Sequence, residues 1–215
     1  MDSGTKQMSQ SLIVGALLAL AGGMLDAYTF LCRGGLFATA ETGNLVMLGV
    51  SAARGDFTRT LYYVLSVAAF AAGIFTAEHI NANADRLKLH WRQWVVLIEC
   101  AVVACAAFVP ESGDLAVCIM VSYISAIQLE AFRKFAGRGG ATTMCTGNLR
   151  SASELLYKRI FQRGDAGAHV YGLLIVSFVV GATVLGAASG ALGDRAVLLA
   201  CLPLAAAFLV MFVSR

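Results

Sequence analysis

Thr42-Gly43-Asn44-Leu45 and Thr146-Gly147-Asn148-Leu149 place the same hydroxyl, glycine and carboxamide twice in an otherwise apolar chain. Hydroxyl and amide side chains donate and accept hydrogen bonds, and a glycine between them allows a tight backbone turn or the close approach of a ligand. At a helix start, such a triplet exposes unpaired N–H groups carrying roughly half a positive charge. Two such ends brought together would attract an anion or the negative end of a polar solute. The plain alternative is that threonine and asparagine only cap a helix and satisfy the backbone of a packed bundle. For the duplicated motif the two readings weigh evenly, so Thr42, Gly43, Asn44, Thr146, Gly147 and Asn148 stand as candidate substrate-binding residues.

Five ionisable residues are candidates for ion or proton coupling: Asp26, Glu130, Glu99, Glu41 and Arg150. Ionisable groups within apolar spans are costly and point by default to proton relays, ion sites or substrate contacts. Asp26 and Glu130 occupy equivalent positions in the internal repeat described below. Glu130 stands close to Arg133 and Lys134, so an interfacial ion pair is the stronger reading for it, whereas Asp26 has its nearest cation at Arg33. Glu99 sits in Val95-Val96-Leu97-Ile98-Glu99-Cys100-Ala101-Val102-Val103 without a charged neighbour. A proton-carrying role and an interhelical hydrogen bond are equally weighted for it. Glu41 and Arg150 flank the two motifs and are expected to pair with each other or to select the sign of a passing ion.

Other chemistry is thinly represented. Cys32, Cys100, Cys105, Cys118, Cys145 and Cys201 form no CxxC, and His79, His90 and His169 have no ligand spacing, so neither metal nor cofactor is expected. The chain lacks G-x-S-x-G, H-E-x-x-H and a Cys/His pairing, and an enzyme is not expected. No basic run suggests nucleic acid. His90, Trp91 and Trp94 read as an interfacial belt touching lipid headgroups.

The elements that must position these residues follow from composition. Hydrophobic residues make up 59% of the 215 residues and charged residues 13%, which departs from the roughly 25% charged of a soluble domain. Crossing a hydrocarbon core takes about 20 apolar residues as helix. Segments near that length run over 11–31, 60–80, 94–109, 115–132, 166–188 and 196–213, the third a little short. Lys6, the apolar run from Leu12 and Ala19-Leu20-Ala21 imitate a signal peptide. Cleavage there would cut through the first span, and the reading is rejected. Ala69-x-x-x-Gly73 and Gly186-x-x-x-Gly190 are packing signals for close helix approach, Pro203 should kink the last span, and Ser151-x-x-Glu154 reads as a capping box.

An offset of 104 positions superimposes the two Thr-Gly-Asn motifs, and the match extends outward: Leu25, Ala27, Gly35 and Thr39 meet Leu129, Ala131, Gly139 and Thr143. Residues 1–215 therefore form one transmembrane domain of two repeats, 11–112 and 115–215. If the motif segments do not cross, Lys6, Arg86, Lys88, Arg92, Arg133, Lys134, Arg138, Arg150, Lys158, Arg159, Arg163 and Arg215 fall on one side, against Arg33, Arg54, Arg59 and Arg195 on the other. If they cross, the basic residues split evenly. The positive-inside rule favours the asymmetric division. The expectation is an all-α membrane protein of six transmembrane helices in two inverted-topology repeats. Each repeat carries a short interrupted, re-entrant half-helix at its motif, and both termini are cytoplasmic.

Gly23-Met24-Leu25-Asp26-Ala27-Tyr28-Thr29-Phe30, Phe37, Thr42-Gly43-Asn44-Leu45-Val46, Gln128, Phe132-Arg133 and Thr142-Thr143-Met144-Cys145-Thr146-Gly147-Asn148-Leu149-Arg150-Ser151 resemble the YoaK family of bacterial membrane proteins over almost the full chain. Glu41 departs from the uncharged residue expected before the first motif. The resemblance implies a bacterial inner-membrane location and a transport role without an assigned substrate, and it adds Gln128 to the substrate-binding candidates. The expected function is passage of a small polar or anionic solute, coupled to protons in one version. A channel, or a membrane sensor or assembly factor that transports nothing, are the alternatives. The partners expected are that solute and membrane lipid, with assembly into a homo-oligomer left open.

Overall fold

A computed structural model of the chain describes residues 9, 11–83, 91–164 and 167–212. Lys6, Arg86, Lys88, His90 and Arg215, which enter the charge division or the aromatic belt, lie outside the described residues. Among the described residues, eight α-helices follow one another: α1 (Leu12–Cys32), α2 (Glu41–Ala53), α3 (Phe57–Ala82), α4 (Trp91–Ala106), α5 (Asp114–Ala131), α6 (Cys145–Phe161), α7 (Ala168–Leu192) and α8 (Cys201–Val210). A short hairpin, β1 (Lys134–Phe135) with β2 (Arg138–Gly139), joins α5 to α6.

Local chemistry sets several of these boundaries. The Ser11 hydroxyl accepts from Val14 N at 3.2 Å and opens α1. Gly34 and Gly35, at φ +85° and +81°, take the chain through the left-handed region just beyond its end. Asp56 caps α3 by accepting from Arg59 N at 3.0 Å. Before α8, the eight residues Gly193–Ala200 form a 3-10 helix. Pro203 has no N–H to donate and crowds the carbonyl four residues back, so the expected kink takes the form of this change in winding. Ser151 lies inside α6, which already begins at Cys145, so it caps nothing; Glu154 pairs instead with Lys158 at 2.6 Å.

Among the described residues, four segments are long and apolar enough to cross a membrane: Leu12–Cys32, Phe57–Ala82, Glu111–Ala131 and the continuous stretch Ala168–Val210. Their burial identifies the solvent. The apolar window of α1 is 67% buried, but that of α3 is only 22% buried, although both have a mean hydropathy of 1.7. Phe75, Val176, Val179 and Leu202 point outward, an arrangement that water would penalise and hydrocarbon does not. α2 carries the pattern to its limit, because its buried residues are Glu41, Asn44 and Ser51 while Leu45, Val46 and Met47 are exposed. The chain is an all-α membrane protein.

Helix directions follow from the contacts. α1 and α7 run parallel, with Leu20 against Gly181 and Leu31 against Gly186. α3 and α5 also run parallel, through Tyr63 and Cys118, Ser66 and Ser122, and Gly73 and Tyr123. α1 and α5 run opposite ways, since Arg33 at the end of α1 bonds Asp114 at the start of α5 at 2.9 Å. Arg92 at the start of α4 donates to the Ala131 carbonyl at the end of α5 at 2.7 Å. The closest helix approaches fall at Gly23, which faces the Phe178 carbonyl, Gly181, which faces that of Leu20, and Gly73, which faces that of Tyr123. Gly73 thus packs as its motif suggests. Gly186 and Gly190 do not: the first has only Leu31 nearby, and nothing lies within 4 Å of a Cβ placed at the second.

Candidate functional site

The chain leaves α1 at Arg33, doubles back, and reaches the middle of α1 again at Thr39, whose N–H donates to Asp26 Oδ1 at 2.8 Å. α2 starts from that depth. The segment before α6 arrives beside α1 in the same way, with the Thr142 carbonyl 3.0 Å from where Gly22 lacks a Cβ. Ala40 and Met144 are the N-caps of α2 and α6, and no side chain caps either helix.

Both helix starts line one cavity of about 550 Å³, bounded by Ala40, Thr42, Gly43, Met144, Thr146 and Gly147 together with Asp26, Phe37, Ala141, Thr143, Cys145 and Phe178. The motifs are therefore adjacent in space. Gly43 and Gly147 lie in the first turn of a helix without a positive φ, so the tight turn expected of them is absent. Nothing lies within 4 Å of a Cβ placed at Gly147, so the first turn of α6 is bare there, whereas the Phe37 ring packs 3.3 Å from the corresponding point at Gly43. Phe37, Ala40, Ala141, Met144 and Phe178 make much of the wall apolar. Asp26, Thr42, Thr143 and Thr146 supply polar groups, and the buried Thr143 hydroxyl has no hydrogen-bond partner among the described residues.

Asn44 and Asn148 serve the backbone. Asn44 accepts from Phe37 N at 3.2 Å and donates to the Phe37 carbonyl at 2.8 Å. Asn148 repeats this on Ala141, at 3.2 and 2.7 Å. Each asparagine clamps the loop that approaches its own helix. Asn44 also donates to Glu41 Oε2 at 3.0 Å, and Ser66 lies 3.5 Å from Glu41 Oε1 and 2.8 Å from Ser122 Oγ. Asn148→Ala is expected to lower stability by about 1–3 kcal/mol, as for buried groups left unsatisfied. Asn44→Ala should lower it further, because Glu41 loses a donor as well; thermal unfolding of both variants in detergent checks the order.

The remaining candidates separate. Glu41 is buried in the polar cluster of α2, α3 and α5, while Arg150 is exposed on α6, so the expected pairing of Glu41 with Arg150 does not form. Glu130 is away from the cavity in an ion pair with Arg133, which also binds Glu78 of α3. Glu99 is fully buried. Gln128 is fully buried too, and does not line the cavity. With its amide oriented to satisfy an ionised Glu99, it donates to both carboxylate oxygens at 2.7 and 2.9 Å and accepts from Thr142 Oγ1 at 2.9 Å. Trp91 is buried in the core, so the aromatic belt reduces to the partly exposed Trp94.

Sequence reasoning passed over Thr142, Thr143, Ser66 and Ser122 as site residues. Thr39 and Thr143 carried a signal, since they align at the 104-residue offset. A threonine's role nevertheless depends on what its hydroxyl meets.

These helices, apolar toward the outside and packed around buried polar side chains, define an integral membrane protein of the helical-bundle class. The chain belongs to the family described as "Protein of unknown function (DUF1275)", whose sequence model matches residues 14–210. It is similar to the UPF0700 transmembrane protein YoaK of Bacillus subtilis (strain 168), with 24% identity over 186 residues, covering 80% of this chain and 81% of the relative. The resemblance seen in the sequence therefore holds. No solved structure matches the chain.

Proposed function

We propose that the protein moves a small polar or anionic solute across the bacterial inner membrane through the cavity between the starts of α2 and α6. The observation that carries this reading is the cavity itself, where two helix starts without side-chain caps, the Asp26 carboxyl and a Thr143 hydroxyl unpartnered among the described residues come together. Helix N-termini favour a negative or electron-rich group, and the walls of Phe37, Ala40, Ala141, Met144 and Phe178 favour a solute with an apolar portion.

The architecture that goes with this reading is six crossings, by α1, α3, α4, α5, α7 and the Gly193–Val210 segment, with α2 and α6 re-entrant. Two features favour it. α1 and α5, equivalent at the 104-residue offset, run in opposite directions, as inverted repeats require. α2 starts at the depth of Asp26 and returns to the end of the bundle where α1 finishes, where Arg59 donates to the Gly34 carbonyl at 2.5 Å. Inverted repeats with half-helices at a central site suit alternating access. In a background without native cysteines, single cysteines at 56 and 112 should label from outside and ones at 88 and 161 from the cytoplasm. Inward labelling at all four would sink this topology and the cytoplasmic placement of the termini.

The transport test begins with a thermal-shift screen of small acids and polar solutes on purified protein, followed by counterflow in proteoliposomes with the solute that binds. Counterflow is the result expected. Flux without counterflow would make the protein a channel, and binding without flux would make it a sensor. Asp26, with Glu41 on α2 and Cys145 on α6 as its titratable neighbours, is the proton-coupling group in this reading. Asp26→Asn should abolish the pH dependence of uptake while folding survives; an unchanged pH profile rejects that role.

A further inference from the structure

Behind the wall of the cavity, Glu99 of α4, Gln128 of α5 and Thr142 of the loop before α6 form a line of side chains with at most 1% exposure. One terminal atom of the Gln128 amide lies 2.7 and 2.9 Å from the two Glu99 oxygens, and the other lies 2.9 Å from Thr142 Oγ1. Amide nitrogen and oxygen are nearly the same size, so these positions accommodate either orientation. The proton count on Glu99 decides between them.

When Glu99 is ionised, the Gln128 amide nitrogen must face it, and the Gln128 oxygen accepts from the Thr142 hydroxyl. When Glu99 holds a proton, its O–H donates to the Gln128 oxygen. The amide nitrogen then donates to Thr142 Oγ1, and the Thr142 O–H has to seek another acceptor. We propose that Glu99, Gln128 and Thr142 are a proton-operated hydrogen-bond switch, in which one proton taken up by Glu99 reverses the direction of every bond in the line. The proton comes from water and adds to a carboxylate oxygen; no covalent bond breaks. The reversal reaches the site because Thr142 lies between Ala141 and Thr143, both in the cavity wall.

The surroundings leave the switch to Glu99 alone. Glu99 forms no ion pair among the described residues, and its carboxyl faces the Gln128 amide. α5 presents Gln128. α8 presents Cys201, whose thiol donates to the Cys100 carbonyl at 3.7 Å. In the 3-10 segment, Asp194 is engaged with Arg33 and Arg195 is exposed. None of the three residues has a like partner in the other repeat, where Pro203, Met24 and Ala38 stand at the equivalent positions. The switch is therefore built into one half. Its use as a coupling device rests on the transport reading, whereas the switch itself does not.

The test is infrared difference spectroscopy of the purified protein, titrated from acid to alkaline pH without solute. The expected result is a protonated-carboxyl band that disappears in Glu99→Gln, changes frequency in Gln128→Leu, and titrates at a different pH in Thr142→Val. A spectrum unchanged by Glu99→Gln overturns the proposal. If that variant does not fold, the other two decide: identical band frequency and titration in wild type, Gln128→Leu and Thr142→Val overturn it equally. A switching band in a protein that shows no flux would sink transport and leave the switch standing, and the converse result would do the opposite.

Discussion

Arg33→Ala is expected to destabilise the folded protein by about 3–5 kcal/mol, the usual penalty for removing one partner of a buried ion pair. Arg33 is fully buried and closes one end of the bundle. Its guanidinium donates to Tyr28 Oη at 2.6 Å, to Asp114 Oδ1 at 2.9 Å, and to the carbonyls of Ala106 and Val109 at 3.1 and 2.8 Å. It also pairs with Asp194 at 3.3 Å. One side chain thus ties the end of α1 to the end of α4, the start of α5 and the segment after α7. Alanine would leave two acidic groups without their cation and the Val109 carbonyl without the guanidinium donor, while the Ala106 carbonyl would keep the Tyr28 hydroxyl at 3.2 Å. Arg33→Lys should recover little, because an ammonium cannot reproduce the planar fork that reaches these acceptors together. Thermal unfolding in detergent measures both variants; a midpoint close to wild type for Arg33→Ala would show that the network contributes nothing to stability.

Gly23→Ala should be nearly as severe despite adding only a methyl group. A Cβ at Gly23 would overlap the backbone carbonyl of Phe178, and one at Gly181 would overlap that of Leu20. Backbone cannot rotate aside as a side chain can, so α1 and α7 would have to separate along the most central packing of the bundle. Overpacking typically costs about 1–3 kcal/mol and at times more, and the upper end applies where two helix backbones touch. Gly49→Ala is the control, since nothing lies within 4 Å of a Cβ there. In an exposed helix interior it should leave stability unchanged or raise it by up to about 1 kcal/mol. The yield of monodisperse protein and its unfolding midpoint test the pair. Equal behaviour of Gly23→Ala and Gly49→Ala would refute the close crossing.

Particular residues show how far the sequence could be read. The Thr-Gly-Asn duplication pointed to the region that becomes the cavity, but it did not separate the residues that line the cavity from those that hold the backbone. Asn44 and Asn148 hold their own loops through the backbone of Phe37 and Ala141. Thr42, Gly43, Thr146 and Gly147 line the space. Glu130's ion pair was legible, because Arg133 lies three residues away, and only its Glu78 partner came from another helix. The Glu41–Arg150 pair failed because flanking equivalent motifs does not bring two side chains together: Glu41 turns inward to Asn44 and Ser66, and Arg150 turns out.

By itself the sequence determined that this is a helical membrane protein, roughly where its long spans lie, and which polar residues stand out against them. Those properties depend on apolar length, on glycine and capping residues, and on spacing along the chain, all of which are set within a single helix or at its ends. Only the tertiary structure decided that both helix starts share one cavity, that Asp26 lines it while Glu130 does not, and that Glu99, Gln128 and Thr142 meet behind its wall. Hydrogen bonds and ion pairs act over about 3–4 Å, and whether residues far apart in the chain come that close is settled by how the helices cross.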